Sequence, residues 1–416
     1  MKRPPNKQLL QTRIIIILFV VFIATVLFIP SIINRKPQIQ TKLLITALGL
    51  DRTQDGNISL SAIAVMPQGG QQAMVKSITV ESEEKSIGEC LETISEIYGK
   101  ETELGLCGLV VLGQSTENAS IMQELEFLFS SAFISPGTYL VNTSNSTAKD
   151  IITLASELDK SSAQILSSIV DFNANSCNIS TVTLLEFVSQ HYTPSLSSII
   201  PTIEVDKLEH TKNESSDKSG ETQEQNGEQQ NGDKASKKTP IKSLKKTGIY
   251  KNGIKKGEFN SEQTLGYNLT KSDNMQGVIA IDNIVINGKE QGNITCSVYS
   301  KNCKKKAYFK DGKPVICYDV SVTLQIIAQN KIIKQWEKNG RNSDEVINPV
   351  ISAFEEKIKD AVKSAILKTK DLDCDSFLIE NEFYRFCNKE YKEYKKGKEN
   401  FLQDVEIEVN TKVTFK

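Results

Sequence analysis

One stretch limits this chain more than any other: RIIIILFVVFIATVLFIPSIINRK, residues 13–36. From Ile14 to Ile29 no charged side chain interrupts it, and Ile32 and Ile33 carry it past Pro30. A helix rises about 1.5 Å per residue, so roughly 20 residues cross a bilayer core of about 30 Å. The run reaches that length with its extension to Ile33. It has no polar face, so it does not read as a helix packed on a water-soluble core. Lys2, Arg3, Lys7 and Arg13 precede it, whereas Arg35 and Lys36 follow it. The heavier basic flank places the N-terminus in the cytoplasm and exports everything after Asn34. The exit, FIPSIINRKPQ, lacks the small-residue pattern of a cleaved signal peptide. No Cys lies near the run to accept a lipid. The expectation is an uncleaved single-pass anchor over residues 14–33, with residues 1–36 forming the cytoplasmic start and the membrane segment.

The exported part is long enough for two or three domains in a chain of 416 residues. Lys and Arg number 50 against 51 Asp and Glu. That balance gives no general attraction to nucleic acid, so no nucleic-acid partner is expected. Cys90, Cys107, Cys177, Cys296, Cys303, Cys317, Cys374 and Cys387 contain no C-x-x-C pair. Export permits disulfides. Cys296 and Cys303 flank an apparent turn and can be bridged; the other reading makes most of the eight small buried hydrophobes or free thiols.

After the anchor, Leu43 to Leu50 and Ile58 to Met66 flank DRTQDGN. Asp55-Gly56 is a turn signal, so the segment predicts a β-hairpin. Asp51, at the mouth of that turn, invites a catalytic reading, but Asp at a turn commonly bonds its own backbone. In KSIGECLETISEIYGKE, Ile87, Cys90, Leu91, Ile94, Ile97 and Tyr98 recur at helical spacing as one apolar face. Ser86 with Glu89 suits a capping box, and Gly99 a helix stop. ELGLCGLVVLG reads as a buried strand, SIMQELEFLFSSAF as a helix, GTYLVNTS as a strand and TAKDIITLASEL as a helix. Strands alternating with helices predict a mixed α/β layer domain over 41–205. Residues 206–247 follow, with almost nothing apolar in NESSDKSGETQEQNGEQQNGDKASKKTP. Such a stretch buries too little surface to offset its ordering entropy and reads as a linker or insert. The lysines from Lys237 to Lys246 can bind phosphate or be solvated.

The third part, 248–416, opens with β-branched alternating stretches punctuated by Asn287-Gly288 and Asp311-Gly312. These predict an antiparallel sheet. NPVISAFEEKIKDAVKSAILKTK reads as a long helix with Asn348 as cap and Pro349 in its first turn. Ile351, Phe354, Ile358, Val362, Ala365 and Ile366 form its buried stripe. In DVEIEVNTKVTFK, Val405, Ile407, Val409, Thr411, Val413 and Phe415 share one strand face. The class is therefore α+β: a mixed α/β N-terminal part and a C-terminal antiparallel sheet packed by a long helix, after an N-terminal transmembrane helix.

This order resembles the Ger(x)C family, the C subunits of spore nutrient germinant receptors. The likeness starts at ALGLD, runs through KSIGECLETISEIYGKETELGLCGLVVLG, and is clearest from GVIAIDNIVINGKEQGNITCSV and DGKPVICYDVSVTLQ to DCDSFLIENEFYR and the last strand. The resemblance implies an extracytoplasmic body, in the inner membrane of the spore, acting with integral-membrane receptor subunits. The resemblance implies a lipoprotein, since members of the family typically have a mature chain that begins at a lipidated Cys. This chain has no Cys before Cys90 and carries the apolar run instead.

Chemistry is thinly represented. The chain has 2 His, His191 in the loop-like SQHYTPS and His210 in the polar segment. G-x-S-x-G, P-loop, H-E-x-x-H and G-x-G-x-x-G are absent from the sequence. Glu355-Glu356 reads as a solvated pair on a helix. No catalytic, metal or cofactor-binding residue is singled out, no cofactor is expected, and ligand-binding residues and any contact with a small-molecule germinant are unknown at this stage. The expectation is a non-enzymatic, membrane-anchored receptor subunit. Two alternatives stay open: an envelope scaffold with another partner, and a cell-wall hydrolase whose carboxylates are collected only by the fold.

Overall fold

The computed structural model describes residues 15–23, 41–67, 75–131, 134–158, 165–205, 241–271, 275–286, 289–290, 292–327, 344–397 and 400–416. The first helix, α1, covers residues 15–23, and every side chain on it is 41–65 % exposed. Among the described residues no helix is long and apolar enough to cross a membrane. The rest of the expected anchor, residue 14 and residues 24–33, lies outside them.

The predicted hairpin forms from β1 (Lys42–Arg52) and β2 (Ile58–Pro67), with Leu50 opposite Leu60. Gly56 turns it at φ +85°, a conformation that suits a residue without Cβ. Next, β3 (Val75–Glu84) pairs with β2. In α2 (Ile87–Tyr98) the Ser86 hydroxyl accepts the Glu89 N–H, and Gly99 stops the helix in the left-handed region. Ile87, Cys90 and Ile94 are buried. Ile97 and Tyr98, read as part of the same face, are exposed. The last turn overhangs the sheet, because β4 (Glu101–Glu103) follows at once and Glu101 pairs with Lys42, the first residue of β1.

Beyond it lie β5 (Leu109–Leu112), α3 (Met122–Ser131), β6 (Tyr139–Thr143), α4 (Ala148–Leu158), α5 (Ile165–Phe172), α6 (Leu184–His191) and β7 (Ser197–Val205). β1, β5, β6 and β7 run parallel. All four residues of β5 are buried, as befits a strand covered on both faces. One core packs α2, α3 and α6 against the sheet through Ile94, Leu125, Leu128 and Phe187. The other packs α4 and α5 through Ile152, Leu154, Leu166 and Val170. α5 and α6, eight residues each, are not marked by the sequence pattern.

Two more strands, β8 (Ile241–Lys251) and β9 (Ile254–Phe259), complete this sheet in the order β3-β2-β1-β5-β6-β7-β8-β9, with β4 beside β1. β8 corrects the linker boundary: residues 241–247, read as polar connector, are strand. Its alternation is hidden by two register shifts against β7, at Thr202/Glu204 and Glu204/Val205, which move its apolar positions out of phase. Lys246 of the lysine cluster is held by Glu204 at 2.7 Å on the sheet surface. The sheet thus crosses the expected division at 205 and 248.

The remainder begins with α7 (Ser261–Leu269) and β10 (Gly277–Ile281), then a small ribbon of β11 (Val285–Ile286) and β12 (Lys289–Glu290). Two long strands, β13 (Ile294–Lys310) and β14 (Lys313–Ile326), turn at Asp311-Gly312, both with positive φ. Cys296 and Cys303 lie within β13, with no turn between them, and all eight cysteines are free. Then come α8 (Asp344–Asp371), α9 (Ile379–Phe386), α10 (Asn388–Lys395), α11 (Phe401–Asp404) and β15 (Glu406–Phe415). The sheet order is β10-β13-β14-β15. It is not wholly antiparallel: β15 joins β14 in parallel, because the chain returns through α8 to α11 before making its last strand. α8 starts a turn earlier than expected, so Pro349 lies inside it and deletes one backbone bond near its N-terminal end.

Burial decides where β15 docks. Val405, Val409 and Val413 are buried, and the Phe354 ring of α8 meets Phe415 edge-on at 6.1 Å. Each fully buried Val, Leu, Ile, Phe or Met side chain is worth about 1.5–3 kcal/mol. The exposed Lys313–Glu406 pair beside it, at 3.2 Å, contributes roughly 0–1 kcal/mol. This core also takes in Ile199, Ile249 and Phe259 from the first sheet. The two sheets therefore share one apolar interior.

Candidate functional site

The residues singled out in the sequence have structural duties. Asp51 does not bond its own turn. One carboxylate oxygen accepts the Lys149 N–H at 3.1 Å and the other the Ser115 hydroxyl at 3.1 Å, so it ties β1 to the first turn of α4. Burial raises its carboxyl above the usual range, and the Ala148 and Lys149 N–H groups and Ser115 pull it back. Gly113 is required beside it, since a Cβ there would lie 1.7 Å from Asp51 Oδ1. His191 is the last residue of α6 rather than part of a loop, with its ring edge-on to Tyr192 at 5.3 Å. His210 lies outside the described residues. Glu355 is half-buried and accepts the Val413 N–H at 3.0 Å at the free edge of β15, while Glu356 is exposed. Among the described residues no group of three or more His, Cys, Asp and Glu is placed to hold a metal ion.

What the fold collects is a seam. The polar loop after α5 lies along the edge of β10: the Cys177 N–H donates to Gln276 O at 2.7 Å, and the Gln276 N–H donates to Asn175 O at 2.7 Å. Asn178 Nδ2 adds a bond to Val278 O at 3.0 Å. This covers an edge that would otherwise present unpaired backbone. Gly277 permits the approach, since a Cβ there would lie 2.3 Å from Cys177 Sγ. Behind it, buried Asn268 of α7 donates to Cys177 O at 3.1 Å and accepts the Ser180 hydroxyl at 3.0 Å. Buried Lys301 of β13 donates to the carbonyls of Asn268 and Lys271 at the end of α7, which suits a cation at a helix C-terminus.

A second clasp lies between β7 and α9. Ser195 Oγ donates to Asp375 Oδ2 at 2.5 Å, and the Ile379 and Glu380 N–H groups donate to the same carboxylate, each at 2.7 Å. Asp375 so caps α9 from four residues ahead. Burial pushes its carboxyl up to about 6, against the three donors that favour its charged form. Nearby, Lys251 of β8 pairs with Asp373 at 2.5 Å.

At the outer end of the first seam is a cleft of about 770 Å³, lined by Phe172, Asn173, Asn175, Ser176, Met275, Gln276, Gly277, Tyr299 and Ser300. Its walls offer amides, hydroxyls and two exposed aromatic rings, Phe172 at 88 % and Tyr299 at 53 % exposure. The only titratable side chain among them is the Tyr299 phenol, which a hydrogen bond from Lys416 lowers below its usual range. These are groups for recognition by hydrogen bonding and stacking rather than for moving protons at neutral pH. Sequence reasoning missed Asn268, Asp375 and the loop at 173–178. The one local signal was Asp375, placed just ahead of an amphipathic helix.

Comparison with known proteins finds two family models along this chain. The family model described as "Spore germination protein N-terminal domain" matches residues 35–205. The one described as "Spore germination B3/GerAC like, C-terminal" matches residues 245–416. No curated protein matches this chain. The crystal structure of the GerBC protein is similar over 88 % of this chain and 96 % of that one, at 16 % identity and a TM-score of 0.49. With both domain matches falling on the two halves in order, the chain belongs to the Ger(x)C family of spore germination proteins.

Proposed function

We propose that this chain is a membrane-anchored, non-enzymatic C subunit of a spore nutrient germinant receptor. It acts by assembling with integral-membrane partner subunits, its N-terminus in the cytoplasm and its body outside, at the inner membrane of the spore. The observation that carries the reading is α1. Nine consecutive apolar side chains, residues 15–23, are all exposed on a helix. Exposure of that much apolar surface to water is costly at about 25 cal/mol per Å², whereas a bilayer accepts it. The body behind it is stitched across its seam by backbone pairing and a buried carboxylate, which suits a rigid unit presented to partners.

Protease added to intact protoplasts tests the topology. Cleavage within residues 206–240 of the full chain is expected before lysis, together with recovery of the chain alongside multi-span proteins after mild detergent extraction. Cleavage only after lysis would refute the orientation. Extraction by salt or carbonate without detergent would refute the anchor. Recovery from the membrane without any multi-span partner would favour the envelope scaffold.

A further inference from the structure

The apolar face of α2 runs past the core. Ile97 is 66 % exposed and Tyr98 37 %, although both continue the stripe that buries Ile87, Cys90 and Ile94. Leu106, in the loop between β4 and β5, is 55 % exposed. All three lie at one end of the first sheet. Glu101, three residues after Tyr98, pairs with Lys42, and Gly108, two residues after Leu106, donates its N–H to Thr46 O. That is the end at which the chain enters β1.

The length of chain on the far side of Lys42 identifies what covers these side chains. Nine steps separate Lys42 from Ile33, the last apolar residue of the expected anchor. At no more than about 3.6 Å per step, they reach roughly 30 Å when fully extended. The entry of β1, and the rim beside it, therefore stay within about 30 Å of whatever surface the anchor enters. We propose that this rim, Ile97, Tyr98 and Leu106, docks on the bilayer interface and fixes the body end-on against the membrane. Aliphatic side chains beside a tyrosine suit that boundary, where an apolar body sits with a polar tip in water. Two of the acidic groups nearby are countered: Lys42 reaches Glu101 at 2.7 Å and Glu103 at 3.6 Å.

The inference rests on the anchor reading, and one experiment separates the two. The full chain is reconstituted in phosphatidylcholine/phosphatidylglycerol vesicles, with one added tryptophan at a time: Ile97→Trp, Leu106→Trp, Phe22→Trp, or Tyr384→Trp on the exposed side of α9. The parent chain, whose only tryptophan is Trp336, is the blank. Lipids brominated near the glycerol level should quench the added emission at 97 and 106 by about half or more and leave 384 unchanged, and lipids brominated deep in the acyl chain should quench 22. Quenching at 22 without quenching at 97 and 106 would overturn the rim and leave the anchor standing. Failure to quench at 22 would overturn the anchor, and the rim with it. A rim that is unquenched in vesicles but shielded from aqueous iodide in native membranes would belong to a protein partner instead, which also overturns the proposal.

Discussion

At the scale of single residues, the buried carboxylate of Asp375 is the group with the largest consequence for pH. Its folded pKa of about 6 stands above the ordinary value of 3.8. The folded state therefore holds this proton more tightly than the unfolded chain does. The stabilisation is complete below pH 3.8 and is lost as pH rises through about 6. A difference of about two pKa units corresponds to about 3 kcal/mol. Urea melts of wild type and Asp375→Asn should therefore diverge between pH 4 and pH 7, with wild type losing about 3 kcal/mol relative to the variant. Parallel pH profiles would show that Asp375 does not titrate in this window. The same position shows what one sequence cannot reveal. Asp51 reads in the sequence as a turn residue, and nothing local marks the partners of Asp375. Only the fold brings Ser195 to Asp375, across 180 positions.

At the scale of elements, close packing of α7 on α8 depends on a residue without a side chain. A Cβ at Gly266 would lie 2.2 Å from Ala361 O and 2.7 Å from the Val362 N. Both are backbone atoms of α8, so neither can swing aside. Gly266→Ala should lower stability by about 1–3 kcal/mol through forced separation of the helices. Gly137→Ala, where the nearest atom is 3.6 Å away, serves as the control. Equal urea midpoints for the two variants would sink the close-contact argument. Elements with an undisturbed period were legible in the sequence. Alternation in EIEVNTKVTF marked β15, and three- and four-residue spacing marked α2 and α8. Elements whose period is broken were not. β8 is bulged, α5 and α6 have only 8 residues each, and the overhanging turn of α2 looks in sequence like the rest of its buried face.

At the scale of the whole molecule, the pairing of β7 with β8 changes what the polar segment does. Val205 pairs with Ile241, so residues 206–240 close a loop between two neighbouring antiparallel strands. Each halving of a flexible loop returns about 0.6 kcal/mol. Replacing residues 206–240 by a short Gly/Ser turn should leave the thermal midpoint within a few degrees, with a slight rise rather than a fall. Because Ile199, Ile249 and Phe259 of the first sheet lie in the second core, melting should be one cooperative transition. Two separate transitions would show that the halves fold independently, and a large fall in midpoint would show that the segment packs on the body. The sequence by itself determined the apolar run, the α+β class, the order of the strongly periodic elements and the family likeness. All of these depend on local period and composition, which are written within a few turns of chain. The tertiary structure alone decided that one sheet crosses the polar segment, that β15 joins in parallel and that polar side chains from both halves close a seam. It also decided that Ile97 and Tyr98 are left outside the core. Each of those outcomes is a contact between residues far apart in the chain, and one chain's periodicity carries no information about which distant surfaces will meet.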